Sequence, residues 1–226
     1  MGHGSFSKPD IARSPPSWTH ALRPHIQSNR DGFGGMSSGF RHITKNTIYR
    51  QRKGNDQTDA AKWVEGFTSG KHVFEIVFPR KLRGSYSSVG IGTKDSELYN
   101  KRPTTLVGKG AFTWGIDLST KKVYMNGRLM RRYPRTFFTE LPDIFHMYLD
   151  MDNCKIMFGS NEQYYGPAIQ DDYIKRYTVY PMVAATEEGA VITITYKGKG
   201  VILSTAGHQD ADGVYKAWRA NRTSVV

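Results

Sequence analysis

Apolar side chains recur at every second position through the middle of this chain, and that period leaves few folds open. In "KHVFEIVF" (71–78), Phe74, Ile76 and Phe78 fall on one side, with Val73, Glu75 and Val77 on the other. In "GAFTWGIDLSTKKVYMNG" (110–127), Phe112, Trp114, Ile116 and Leu118 share a face, and Thr113, Gly115 and Asp117 lie opposite. Successive side chains of a strand point to opposite faces, so period two marks half-buried strands rather than helices. "STKK" then reverses the chain, and Val123 and Met125 return inward before an Asn126-Gly127 turn. "IFHMYLDMDNCKIMF" (144–158) repeats the device: Phe145, Met147, Leu149 and Met151 form one face, Asp152-Asn153 turn, and Cys154, Ile156 and Phe158 answer. "YTVYPMVAAT" and "AVITITY" supply a last pair. Short strands joined by polar turns, in a chain with 23 Gly, 13 Tyr and 11 Phe, predict an all-β antiparallel sandwich.

The organisation follows from where that pattern begins and ends. Residues 1–40, rich in Gly, Ser, Pro and charge, read as a largely disordered basic tail in which Trp18 alone suits a core. Residues 41–200 carry the folded domain. Residues 201–226 read as a second tail, with a short helix in "DGVYKAWRANR". Cys154 is the single cysteine, so no intramolecular disulfide forms, and a cytoplasmic or nuclear setting is expected. "MGHGSFSKPD" has no apolar core of a secretory signal, and no run reaches membrane-spanning length.

A search for chemistry returns little. The seven histidines are scattered, without HExxH or a neighbouring CxxC, so no metal is expected. No GxSxG elbow occurs, and Cys154 reads as a buried thiol. Asp150, Asp152, Asp171 and Asp172 read as caps of their own turns. "GKGAFT" is too short for a phosphate loop, and Gly90 and Gly92 read as sites of close packing or a bulge. No catalytic group and no cofactor emerge. The net charge of +12 favours an acidic partner: nucleic acid, an anionic membrane or an acidic peptide. The basic runs "YRQRKG" (49–54), "PRKLRG" (79–84) and "RLMRRYPR" (128–135) read as solvated turns. Tyr49, Phe112 and Tyr133 near them could stack bases, which keeps nucleic-acid binding as the alternative function.

Five segments in order resemble a family: "SGKHVFEIVFP" (69–79), "SVGIGT" (88–93), "PTTLVGKGAFTWGIDL" (103–118), "LDMDNCKIMF" (149–158) and "YPMV" (180–183). Together they are similar to the SPRY (B30.2-type) domain, in the branch of SPRY-domain SOCS-box proteins and the SPRY F-box protein. "VGIGT" and "YPMV" lean towards the third SPRY/SOCS-box protein. The resemblance covers about residues 45–200. It implies a bent, jelly-roll-like β-sandwich without enzymatic activity, whose loops at one end bind a short peptide segment of a partner, often through an Asn-containing motif. It further implies a substrate receptor or adaptor for an E3 ubiquitin ligase, recruited through elongin and cullin by a SOCS box. The expected helix in the last tail has neither the Leu nor the Cys of an elongin-binding helix, so no complete SOCS box is expected and elongin/cullin recruitment by this chain alone is not.

Carried over by position, the resemblance implies peptide-binding roles for Thr93, Leu106 and an Arg at position 50 or 52, upstream of "QTD" (57–59). Pro103 and Glu187 stand where the best-known members have Tyr and Trp. Loss of both aromatics, with Glu188 beside Glu187, argues against the standard Asn-rich motif and against an acidic ligand at that spot. The expected site is therefore Arg50, Arg52, Thr93, Pro103, Leu106 and Glu187.

Overall fold

The computed structural model describes residues 14–23, 31–134 and 140–201. In chain order its strands begin with β1 (Leu22–Arg23), β2 (Phe33–Met36), β3 (Phe40–Thr44), β4 (Thr47–Arg50), β5 (Thr58–Trp63) and β6 (Lys71–Val77). There follow β7 (Ser87–Gly92), β8 (Tyr99–Asn100), β9 (Thr113–Asp117), β10 (Lys122–Met125) and β11 (Arg128–Arg132). The last five are β12 (Ile144–Asp150), β13 (Lys155–Gly159), β14 (Tyr164–Gln170), β15 (Tyr180–Ala185) and β16 (Val191–Gly200). A helical turn, α1 (Leu106–Lys109), lies between β8 and β9.

These strands form two antiparallel sheets. The first runs β14-β13-β12-β6-β16-β4-β3, with β1 alongside the end of β16. The second runs β11-β10-β9-β7-β15-β5-β2, with β8 alongside β5. The alternating residues meet between the sheets: Phe74, Ile76, Phe145, Met147 and Phe158 from the first pack against Val89, Ile91, Trp114, Ile116 and Val183 from the second. Full burial of each large apolar side chain contributes roughly 1.5–3 kcal/mol, and this layer holds the sandwich together.

The sandwich begins earlier than the expected boundary at residue 41. β2 pairs with β5, β3 pairs with β4, and Phe33 and Phe40 are core residues. Two of the glycines that suggest a tail, Gly34 and Gly39, are there for close approach. A Cβ at Gly39 would stand 2.1 Å from the Asp59 carboxyl, and one at Gly34 would stand 2.7 Å from Val64 Cα. Trp18 does find a core, on the outer face of the first sheet with Val73, Tyr148 and Met157. Phe112 differs from its expected inward place. It precedes β9 with φ of 55° and lies exposed against Tyr177, because the turn lifts it off the strand. The segment read as a C-terminal helix lies outside the described residues.

Between β7 and β9 the chain crosses the outer face of the second sheet and comes back. Leu106 and Val107 pack there on Ala60, Met182 and Ala184. This excursion brings the turn around Pro103 to the end of β5.

Candidate functional site

The end of the sandwich where β4 stops, β5 starts and β15 stops is organised by one buried carboxylate. Asp59 is the acidic residue in "TDAAKW", a strand otherwise of small and apolar side chains apart from Lys62. Arg50 Nε donates to Asp59 Oδ2 at 3.0 Å with both side chains fully buried. Arg52 adds bonds from Nε (2.8 Å to Oδ2) and Nη2 (3.0 Å to Oδ1), and Ser37 Oγ donates to Oδ1 at 2.7 Å. Burial pushes the Asp59 carboxyl up, but the bonds from Arg52 and Ser37 and the charge of Arg50 hold it below its ordinary value. Burial likewise pulls Arg50 down, whereas the bond to Asp59 raises Arg52.

Arg50 spends its remaining donors inside its own loop. Nη1 donates to the carbonyls of Arg52 (3.3 Å) and Gly54 (2.9 Å), and Nη2 donates to that of Gln57 (2.8 Å). Arg50 is thus the frame of loop 51–57, not a free arm. Arg52 is the partly exposed member, at 24%, and its guanidinium stacks 4.9 Å from the Tyr99 ring centroid. Tyr99 is exposed, and its hydroxyl donates to Gln57 Oε1 at 2.7 Å.

Two further loops are bonded to this one. Asn55 Nδ2 donates to Glu187 Oε2 at 2.9 Å, and the Glu188 amide donates to Asn55 Oδ1 at 2.7 Å. Glu188 accepts from Lys53 Nζ (2.8 Å) and from the Gly54 amide (2.9 Å), and these bonds depress its carboxyl pKa. On the other flank, Thr58 Oγ1 donates to the carbonyls of Arg102 and Thr104, and the Thr104 amide donates back to it at 2.8 Å. Pro103, exposed, is the tip of that turn.

Of the six expected residues, Arg50, Arg52, Pro103 and Glu187 therefore belong to one bonded cluster of loops. Thr93 does not. It follows β7 at the end where Gly92 pairs with Tyr180, while the loop cluster lies at the end where Ser87 pairs with Ala185. That is roughly 20 Å along the strand. Thr93 is 4% exposed and Leu106 is 2% exposed, so neither presents side-chain surface. Leu106 supports the excursion that carries Pro103. The residues that sequence reasoning missed are Asp59, Asn55 and Tyr99. For Asp59 the signal was present as an acid one place inside a strand of small apolar residues.

The other groups weighed for chemistry are structural. Asp150 caps the Asn153 amide of its own turn, whereas Asp152 accepts from the Gly70 amide of another loop, and both also accept from Lys71 Nζ, at 2.8 and 3.0 Å. Asp171 caps Tyr173 and accepts the Trp114 indole N–H at 2.7 Å. Arg83, expected in a solvated turn, is buried instead and donates to the carbonyls of Phe78, Leu141 and Pro142. Among the described residues, no group of three or more His, Cys, Asp or Glu is placed to hold a metal ion. No helix of the described residues is long and apolar enough to cross a membrane.

Comparison with known proteins agrees with the fold. The model of the SPRY domain matches residues 71–199. "SPRY domain-containing SOCS box protein 1" of Homo sapiens is 32% identical over 157 residues, covering 66% of this chain and 56% of the relative. "Protein gustavus" of Drosophila melanogaster is 32% identical over 147 residues, 62% of this chain and 52% of the relative. "F-box/SPRY domain-containing protein 1" of Xenopus laevis is 26% identical over 195 residues, 79% and 69%. The chain thus spans little more than half the length of the first two relatives. Among solved structures, the SPRY domain of human HERC1 superposes with a TM-score of 0.52 at 18% identity, covering 72% of this chain and 98% of that one. The TRIM65 PSpry domain gives 0.54 at 16% identity, covering 74% and 90%. With half of its length matched by the family model and the same two-sheet architecture, this chain belongs to the SPRY domain family.

Proposed function

We propose that the chain is a non-catalytic protein-interaction module whose loop end binds a short extended segment of a partner protein. One observation carries the reading. Three loops far apart in sequence, 51–57, 99–104 and 186–190, are cross-bonded around Asp59 into a platform that exposes Arg52, Tyr99, Lys53 and Pro103. Loops on a stiff sandwich are where recognition is commonly built. Arg and Tyr are the side chains that most often dominate binding energy. Arg52 Nη1 forms no hydrogen bond among the described residues and is available to a peptide carbonyl or carboxylate. Glu188 is neutralised by Lys53 and Glu187 accepts from Asn55, so their repulsion of an acidic ligand is weaker than their side-by-side placement suggests.

The relatives that carry a SOCS box or an F-box in their names support a place as the substrate receptor or adaptor of an E3 ubiquitin ligase. The alternative of nucleic-acid binding loses ground because Arg50, Arg83 and Arg131, all within the basic runs, are spent on protein acceptors. The test is affinity capture with the whole chain and with Arg52→Ala and Tyr99→Ala. Partners lost with either variant, at unchanged thermal midpoint, support the platform; partners kept by both variants remove it. A steep fall in affinity for RNA with added salt would favour the alternative.

A further inference from the structure

The second sheet ends on β11, where several separate features meet. β11 pairs with β10, and among the described residues no strand pairs with its other side. Such an edge leaves backbone donors and acceptors that another strand can use. It presents Leu129 and Met130 together, 55% and 49% exposed. A bulge opposite Val123 and Tyr124 leaves Met130 without a cross-strand partner.

Cations surround these two side chains. The register sets Lys122 directly opposite Arg132, a like-charge pair that weakens the sheet. Arg128 stands opposite Met125, and Lys109 Nζ lies 4.9 Å from the centroid of Tyr124, the residue opposite Leu129. Lys109, Lys122, Arg128 and Arg132 form no ion pair among the described residues, although their neighbour Lys121 pairs with Glu140. Arg131 is used otherwise. It donates to the carbonyls of Pro167 (2.6 Å) and Ala168 (3.0 Å) on β14, which fixes β11 against the other sheet.

Charge on an edge strand is also a defence against aggregation. That defence accounts for the arginines but not for two exposed apolar neighbours or for a repulsive pair. We propose that β11 is a docking edge to which an extended acidic segment of a partner protein adds as a further strand. Its carboxylates meet Lys122, Arg128 and Arg132, and its apolar side chains cover Leu129 and Met130. Nucleic acid would satisfy the cations but would leave the backbone edge and both apolar side chains uncovered. β11 lies five strands from β5, roughly 24 Å at the usual strand spacing, so the edge is separate from the loop platform.

A fluorescein-labelled synthetic peptide alternating Glu with Val tests the proposal by anisotropy on the whole chain in about 0.15 M salt. Saturable binding is expected, at least tenfold weaker for a Gln-Val peptide, with slowed amide hydrogen exchange at residues 128–132. Arg132→Glu should weaken binding tenfold or more while raising the thermal midpoint, because it turns the repulsive pair with Lys122 into an attractive one. Leu129→Ser, at an exposed site, should weaken binding at unchanged thermal midpoint and serves if the first variant does not fold. Arg52→Ala should leave this binding intact. No binding of the Glu-Val peptide, binding without exchange protection at 128–132, or tighter binding of a mixed-sequence single-stranded RNA at the same edge would each overturn the proposal.

Discussion

Arg50 donates its Nε proton to Asp59 at 3.0 Å, and neither side chain reaches solvent. Removing one partner of a buried pair strands the other charge, at a cost of about 3–5 kcal/mol. Asp59→Asn is therefore expected to lower the urea midpoint by that equivalent and to loosen loop 51–57. The acid side follows from the same carboxyl. Its folded pKa lies below the ordinary 3.8, so its contribution is complete above the ordinary value and drains away as pH falls through the folded one. Asp59→Asn should flatten the stability profile below about pH 5. An unchanged profile would mean that the pair is solvated.

His72 supplies a second pH dependence, nearer neutrality. Its Nε2 lies 2.9 Å from the Ser69 carbonyl and its Nδ1 lies 2.8 Å from the Tyr196 hydroxyl. The neutral ring with its proton on Nε2 satisfies both. Burial holds the folded pKa below 6.5, with the Ser69 bond opposing. The unfolded chain then binds the proton more readily, so stability is present above pH 6.5 and declines as pH falls below it. Urea unfolding at pH 7.5 and 5.5 should show this loss, with a smaller loss in His72→Gln. Some slope should remain from His146, which burial also lowers. Equal slopes in the two proteins would contradict this assignment.

Among the described residues, every hydrogen bond of the Arg83 guanidinium goes to a carbonyl. Nε and Nη2 reach Phe78, at 3.0 and 2.8 Å, Nη1 reaches Leu141 at 2.7 Å, and Nη2 also reaches Pro142 at 2.5 Å. Burial draws its pKa down to about 10. Lysine keeps the charge but cannot span acceptors that a planar fork reaches. Arg83→Lys is expected to cost about 2–4 kcal/mol, from two carbonyls left unpaired. Calorimetry should show a loss well beyond that of Arg80→Lys at the exposed neighbour.

Gly90 is required by the approach of β7 to β9. A Cβ there would stand 2.0 Å from the Trp114 carbonyl oxygen and 2.6 Å from Gly115 Cα, both backbone atoms that cannot yield. Gly90→Ala should cost on the order of 3 kcal/mol or prevent folding. At Gly35 the nearest atoms would be 3.7 Å away, in ordinary contact. Gly35→Ala should therefore stay within about 1 kcal/mol of the parent, and similar losses at both sites would refute the steric account.

The strands that period two reveals, around Phe74, Trp114, Met147 and Ile156, were legible because one face of each is core and the turns carry Asn, Asp and Gly. β2 and β3 were not, because glycine reads as freedom until the atoms crowding Gly34 and Gly39 are known. The basic runs misled for a related reason. Composition shows a cation, but only tertiary structure shows that Arg50 and Arg83 turn inward to backbone carbonyls. Position-by-position transfer reached Arg52 and Glu187. It could not show that the excursion after β7 buries Leu106, or that Thr93 lies at the far end of its strand.

β16 is the last strand among the described residues, yet it lies inside its sheet, between β6 and β4. A ribosome delivers residues 191–200 only after every other described strand has emerged. Until then the β3–β4 hairpin has no partner to join it to β6, and the places of Ile192 and Ile194 in the core stand open. The closing segment of this sheet is thus the last to be made, and the seam it fills stays apolar and open until it arrives.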